Sequence, residues 1–424
     1  MHKQIFTDER LGESYIKARH SSGLTIYICQ KPTHASAYAL FGTKYGSIDT
    51  RFRQKEGEWV DVPEGIAHFL EHKLFESEEG DAFARYAETG AYANAYTSFD
   101  RTCYLFSCTD RFSDSLAILL DFVQSPYFTK ETVDKEQGII GQEIRMYDDS
   151  PDWRVLFNLL TALYENHPVR IDIAGTVESI AKIDDRLLYT CYNTFYNPAN
   201  MFICVAGNVD ADAVLEQIDK GMKPVQPVEI ERGQFQEPDG VVRKKAEQRL
   251  AVSIPLFCYG FKERCQTPER TLEQKVHTNL LLELVAGEAS PLYNRLLSQG
   301  LINKNFGAEY FAGHGYAAPI FQGESVDPDR VAAEIAAAFR RLRTEGIDPA
   351  AFEDVRRKLY GHSVMRYNSV ESVAMGLVDA AMQGTGLFDE LDIYRKAKPD
   401  DLLERLDVFD EDKAALSVIL PVQE

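Results

Sequence analysis

The sequence is poor in cysteine and in positive charge, and it has no long apolar run. Its seven cysteines (Cys29, Cys103, Cys108, Cys191, Cys204, Cys258, Cys265) are scattered through 424 residues, an odd number with no CxxC pair. That spacing argues against a disulfide framework and against a thiolate metal cluster, so the thiols read as reduced core or surface groups. No uncharged apolar stretch reaches the length of a membrane-spanning helix. The opening MHKQIFTDERLGESYIKARH is charged and lacks the apolar centre of a signal peptide. The expected compartment is therefore the cytoplasm, with no membrane insertion. Lys and Arg total 46 against 66 Asp and Glu, a formal net charge of -20. Such a balance speaks against nucleic acid as partner and would draw a basic peptide.

What is present suffices for packed cores: 45% of residues are hydrophobic and 26% charged. The length suggests more than one domain. GLTIYICQK and AYALFGTKYGSID read as strands, PEGIAHFLEHKLFES and DAFARYAETG as helices, ANAYTSF and TCYLFSCT as a strand pair. The first part closes with DDRLLYTCYNTFYNPANMFICVAGN, a helix and then a strand. A polar, proline-containing segment at 223–245 reads as a linker. After it the order begins again, and DDLLERLDVFDEDKAALSVILPV echoes the earlier closing segment at about half the chain's length. The expectation is an α+β protein of two similarly built domains, 1–222 and 246–424, each an antiparallel sheet covered by helices.

The chemistry concentrates in GIAHFLEHKLFES. His68 and His72 are four apart on a helix and share a face, so both imidazoles can reach one metal. Glu71 sits at the edge of that face, where it could reach a water on the metal without ligating. A catalytic zinc takes three protein ligands and one open position. The third candidate is in DKEQGIIGQEIRMYDDSP, where Glu136 and Glu143 are two turns apart. Ile139 and Ile140 between them read as an inward-packing stripe, and a carboxylate on that side needs a partner or a metal. Glu143 is the expected ligand and Glu136 an outer carboxylate that orients a histidine. Two histidines on a plain helix would equally fit a satisfied surface or core feature. His167 before Pro168 reads as a turn residue, His314 as a loop residue.

GIAHFLEHKLFES resembles the inverted His-x-x-Glu-His zinc motif of the pitrilysin, insulysin and mitochondrial processing peptidase family, the inverzincins. ANAYTSFDRTCYLF is similar to the family's Asn-Ala-x-Thr edge strand, and KEQGIIGQEIRMYDDSP to its Glu-x6-Glu helix. NHPVRIDIAGTVESIAKI and FYNPANMFICVAGNVD are similar to two further segments. The resemblance covers nearly the whole chain and is to the single-length bacterial type, half of a pitrilysin-like clamshell. It implies a zinc metalloendopeptidase acting on peptides or short unfolded segments. His68, His72 and Glu143 would bind Zn2+. Glu71 would be the general base that activates the metal's water, and Glu136 the second catalytic acid. Asn94 and Ala95 would bind the substrate backbone by strand addition, with Tyr96 lining the pocket beside the zinc.

The chain departs from the family pattern in one respect. The family's second domain carries an Arg and a Tyr that reach the substrate, but YNRLLSQGLINKNFG offers Leu296, Leu297 and Asn303 there, with Arg295 out of register. Either a paralogous partner subunit supplies them in a heterodimer, or this chain uses Tyr310 or another tyrosine. A dimer, hetero or homo, is expected in both cases. Two other functions compete: a non-catalytic scaffold or binding subunit, and a processing protease dedicated to one precursor peptide.

Overall fold

A computed structural model describes residues 1–78, 80–263 and 271–422, so Cys265 lies outside the described residues. Backbone contacts divide the chain into two units. Unit 1 comprises Met1–Gln142, Asp172–Gly233 and Val364–Phe388; unit 2 comprises Glu143–Ile171, Gln234–Ser363 and Asp389–Glu424. One division falls inside the 223–245 segment expected as a linker, part of which forms a strand, Ile230–Arg232, paired with Arg51–Gln54. In addition, residues 143–171 go with the second unit and 364–388 with the first. Four helices matter below: α1 (Ile66–Leu74), α2 (Lys130–Asp148), α3 (Pro151–Leu163) and α4 (Val370–Gln383).

Unit 1 is built on seven strands: β1 (His2–Asp8), β2 (Glu13–Arg19), β3 (Thr25–Gln30), β4 (Ala37–Thr43), β5 (Tyr92–Thr97), β6 (Thr102–Cys108) and β7 (Met201–Gly207). Their spatial order is β1-β2-β3-β7-β4-β6-β5. The central strands β4 and β7 are buried throughout, which explains their unbroken apolar sequences AYALFGT and MFICVAG. β7 pairs in parallel with β3 and antiparallel with β4, so the sheet is mixed rather than wholly antiparallel. Helix α4 covers one face. Val370, Val373, Ala374, Leu377, Val378 and Ala381 recur at helical spacing and pack with Tyr38, Leu40, Phe202 and Cys204. Ser369 caps its start, accepting the Ser372 N–H at 3.2 Å, and Gly384 ends it with φ 70°.

Unit 2 has five strands, β8 (Lys245–Leu250), β9 (Leu256–Phe261), β10 (Gly307–Gly313), β11 (Tyr316–Glu324) and β12 (Ala414–Pro421). Their order, β8-β12-β9-β11-β10, repeats that of β3-β7-β4-β6-β5. The parallel pair recurs at the same place, between β8 and β12. Helix α3 packs on this sheet, and its approach is close: a Cβ on Gly260 of β9 would lie 2.9 Å from Leu159 Cδ2. Phe257, Phe261, Phe321, Phe339 and Phe409 fill the core, with the Phe339 and Phe409 rings stacked 3.7 Å apart. Among the described residues no helix is long and apolar enough to cross a membrane.

The core of unit 1 thus depends on a helix more than a hundred positions away in sequence. Leu377 on α4 is 0% exposed, so Leu377→Ala should remove roughly 2–5 kcal/mol of stability. Denaturant unfolding of the whole chain measures this, and a loss well below that range would contradict the packing described.

Candidate metal centre

The start of α1 is fixed by backbone approach. The helix begins at Gly65, which has φ 86°, so Pro63 and Glu64 precede the helix rather than form its first turn. A Cβ on Gly65 would lie 2.3 Å from the Ala174 carbonyl oxygen, and one on Gly175, itself at φ 75°, would lie 2.6 Å from the Glu64 carbonyl oxygen. Two glycines therefore allow two stretches of chain to touch where no side chain fits. Ser179 Oγ donates across the junction to the Glu64 carbonyl at 2.9 Å. Ser179 also closes a capping box with Thr176. Residues 174–179, noted in the sequence only as similar to a family segment, hold the zinc-motif helix in place.

From this anchored start, His68 and His72 lie one turn apart with ring centres 4.6 Å apart and planes at 62°. His68, His72 and Glu143 each bring one potential ligand atom into a group whose members all lie within 4.8 Å of one another. It is the one such group of three among the described residues. Glu143 is carried by α2, the same continuous helix that carries Glu136. Glu136 Oε1 lies 3.0 Å from His72 Nδ1 and the residue is 6% exposed. A carboxylate there accepts a hydrogen bond from Nδ1–H, which leaves the Nε2 lone pair of His72 for a metal. Burial pushes the His68 pKa down to about 3, helped by neighbouring His72, so His68 is held in the neutral form that ligates.

The apolar stripe of α2 differs from expectation. Val133, Ile140 and Ile144 are buried, but Ile139 is 46% exposed. Glu136 shares the buried stripe and Glu143 stands beside it, half-buried. Both glutamates lie on one helix, as their spacing implied; the reading of both isoleucines as inward did not hold, because a helix turns 100° between neighbours.

Glu71 is also largely buried, and Thr97 on β5 donates its hydroxyl to Glu71 Oε2 at 3.0 Å. Directly across the ladder, Thr102 donates to the Tyr45 carbonyl at 2.9 Å and lies 3.3 Å from Thr97 Oγ1. Thr97 was missed in the sequence, although it is the Thr of the Asn-Ala-x-Thr segment. β5 is the edge strand of the sheet, paired only through β6. Asn94 is exposed, and its Oδ1 accepts the Ala95 N–H at 2.9 Å. Tyr96 is placed otherwise than expected. Alternation puts it on the face opposite Thr97, packed against the core under α4 with its hydroxyl 4.0 Å from Met375 Sδ. Its ring therefore does not line a pocket beside His68 and His72.

The remaining candidates have structural roles. His167 Nδ1 accepts the Val169 N–H at 3.1 Å, so Nε2 carries the proton and donates to the His314 carbonyl at 3.0 Å. Burial lowers its pKa to about 4. Arg295 pairs with Glu334 at 2.7 Å. The Tyr310 hydroxyl donates to Glu263 at 2.5 Å and accepts from Arg405 at 3.1 Å. Leu296 is buried in the core of unit 2.

Residues 57–177 match the family described as Insulinase (Peptidase family M16), and residues 182–359 match the Peptidase M16 inactive domain. The chain is 42% identical over 401 residues to a protein of Bacillus subtilis named as the uncharacterized zinc protease YmfH, across 93% of both. A crystal structure of an M16-like peptidase from Alicyclobacillus acidocaldarius aligns with TM-score 0.92 and 36% identity, over 97% of this chain and 99% of that one. Pitrilysin is similar in fold alone, with TM-score 0.76 and 16% identity; 98% of this chain aligns with 46% of pitrilysin.

The glycine contact makes a direct prediction. Gly65→Ala should combine a left-handed backbone with a clash against Ala174 and lower stability by roughly 1–3 kcal/mol. Thermal or denaturant unfolding reads the loss, and an unchanged stability would show that α1 does not need this approach.

Proposed function

The chain belongs to the insulinase (M16) peptidase family, and we propose that it acts as a zinc metalloendopeptidase on peptides or short unfolded segments. The observation that carries this reading is the group His68, His72 and Glu143 with Glu71 one residue from a ligand. Two imidazoles and a carboxylate fit zinc, which accepts three such ligands and keeps a fourth position open. Zinc, when bound, would polarise the scissile carbonyl and acidify a water.

The chain's own residues supply the rest. Glu136 holds the His72 tautomer that ligates. Glu71 takes a proton from the attacking water and returns it to the leaving amine. Thr97 donates to one oxygen of Glu71, fixing the carboxylate while the other oxygen accepts the proton. The β5 edge at Asn94 and Ala95 binds substrate main chain, with the Asn94 side chain giving up the Ala95 N–H as the substrate strand adds. Recognition through main-chain bonds suits extended peptides of varied sequence. The net charge of -20 favours basic ones. The six described cysteines are all buried free thiols, which supports a reducing compartment, and we place the protein in the cytoplasm.

A second subunit completes this proposal. Arg295 and Tyr310 are each bonded within unit 2, so we assign the Arg and Tyr that approach substrate in the family to a paralogous partner. The competing role, a binding subunit without catalysis, would need no zinc and no Glu71.

Metal analysis with a quenched-peptide assay separates these. Glu71→Gln should keep about one zinc per chain while the rate falls by roughly 10²–10⁴-fold. His68→Ala should lose the zinc. Wild-type protein without zinc, or zinc that survives His68→Ala, would overturn the assignment. Thr97→Val should keep the zinc and lose roughly tenfold in rate; a rate equal to wild type would remove Thr97 from the mechanism.

A further inference from the structure

A row of side chains crosses the sheet of unit 1 on the face turned away from Thr97. Tyr38 of β4 pairs with Ser107 of β6, and Ser107 with Tyr92 of β5. Directly opposed residues share a face, so the row runs from beneath α4 to the edge of the sheet. Its inner end lines a cavity of about 410 Å³ beside the start of α4, together with Ser36, Asn368 and Glu371. Tyr38 is 7% exposed. Its hydroxyl makes no hydrogen bond to any described residue, nor do those of Ser36 and Ser107. Burial, and after it the neighbouring Glu371 carboxylate, push the Tyr38 pKa up to about 12. Buried hydroxyls are nearly always bonded, and one left without a partner costs free energy until something bonds to it.

The lining is one-sided in its chemistry. Glu371 is exposed and has no ion-pair partner among the described residues. No lysine or arginine lines the cavity. His34 does, but its Nε2 donates to the Asn368 carbonyl at 3.1 Å. The start of a helix favours an anion, yet Ser369 already caps α4 and Glu371 already brings negative charge to its first turn. Oxygen acceptors around one carboxylate suit a cation with several N–H donors, an ammonium or a guanidinium.

We propose that this cavity is a specificity subsite for a lysine or arginine side chain of the peptide, a reading that rests on β5 as the edge that binds substrate. A peptide strand added to β5 extends the row by one residue beside Tyr92. Two strand spacings, ~10 Å, separate that residue from Ser107. A long basic side chain covers the span, with its stem along the Tyr92 ring and its charged head at Ser107, Tyr38 and Glu371. Tyr92 is 68% exposed, so its ring is accessible to the stem. The subsite also sets register. Tyr92 and Thr97 are five positions apart, ~17 Å of strand. The basic residue therefore lies about five residues from the bond held at Glu71, and the residues on either side of it turn to the opposite face.

Peptides of otherwise uniform sequence, N-acetylated and carrying one lysine, test this on the full chain. Binding is read with Glu71→Gln protein, so that no turnover intervenes. The lysine peptide should bind about tenfold more tightly than the same peptide with acetyl-lysine. Glu371→Gln should bring that ratio below about twofold, and Tyr38→Phe, which removes an oxygen but no charge, should lower it roughly threefold. With chain that carries Glu71, mass spectrometry should find the cut about five residues from the lysine, moving as the lysine moves, and scattered in Glu371→Gln. Equal binding of lysine and acetyl-lysine peptides, a preference that survives Glu371→Gln, or a cut indifferent to the lysine's position would overturn the subsite. If no peptide is cut, the peptidase assignment fails, and the binding comparison still decides the subsite.

Discussion

The metal group depends on a contact between two stretches of backbone. Gly65 and Gly175 let the start of α1 and the loop before Thr176 approach to distances at which any Cβ would overlap a carbonyl oxygen. Ser179 then bonds the Glu64 carbonyl. A helix of nine residues is too short to hold its own direction in water. Its orientation must come from packing and from its ends, and here the end is clamped. Once α1 is set, the one-turn spacing of His68 and His72 sets the imidazoles, and Glu71 follows between them. The buried Glu136 on α2 fixes the ring of His72 from the other side. His68, Glu71 and Glu136 are buried, which makes a wrong geometry expensive: an unsatisfied carboxylate or imidazole there costs several times a surface hydrogen bond.

The same sheet gives β5 two tasks through the alternation of its side chains. Thr97 turns toward Glu71, while Tyr96 turns away into the core beneath α4. The strand next to the metal group is thereby tied to a helix from residues 370–383. A change in that core would move the edge on which we place the substrate. Tyr96 is better understood as what holds the edge in position than as part of a pocket.

The candidate ligand group was legible in the sequence where it depends on local spacing. His68, His72 and Glu71 are set by the helical repeat, and Glu136 and Glu143 by the same repeat two turns apart. The echo between the segments around Met201 and Ala415 was legible because each closes an equivalent part of the sheet, as β7 and β12. Less was legible where position depends on distant chain. Nothing in Val370–Gln383 says that it covers the first sheet, nor in Pro151–Leu163 that it covers the second; both are amphipathic and fit any apolar face. The parallel pairing of β3 with β7 is likewise a property of topology, and neither strand's composition reveals it. Ile139 and Tyr96 were misjudged for a smaller reason. Both required fixing the phase of an element, and one position of error exchanges the buried side for the exposed one.

Unit 2 repeats the strand order, and its buried polar atoms are spent on one another. Arg405 makes paired hydrogen bonds to Glu263, 2.8 Å each, and reaches Thr278 at 2.9 Å and the Tyr310 hydroxyl at 3.1 Å. Both charges are almost fully buried. Breaking such a pair from one side leaves an uncompensated charge, a larger loss than the pair itself contributes. Arg405, Glu263 and Tyr310 are therefore constrained as a set, and Tyr310 is held by bonds it would have to give up to serve a substrate. In unit 1 Glu136 and Glu71 are bonded to His72 and Thr97. In unit 2 the buried Arg405 and Glu263 close on each other and on Tyr310.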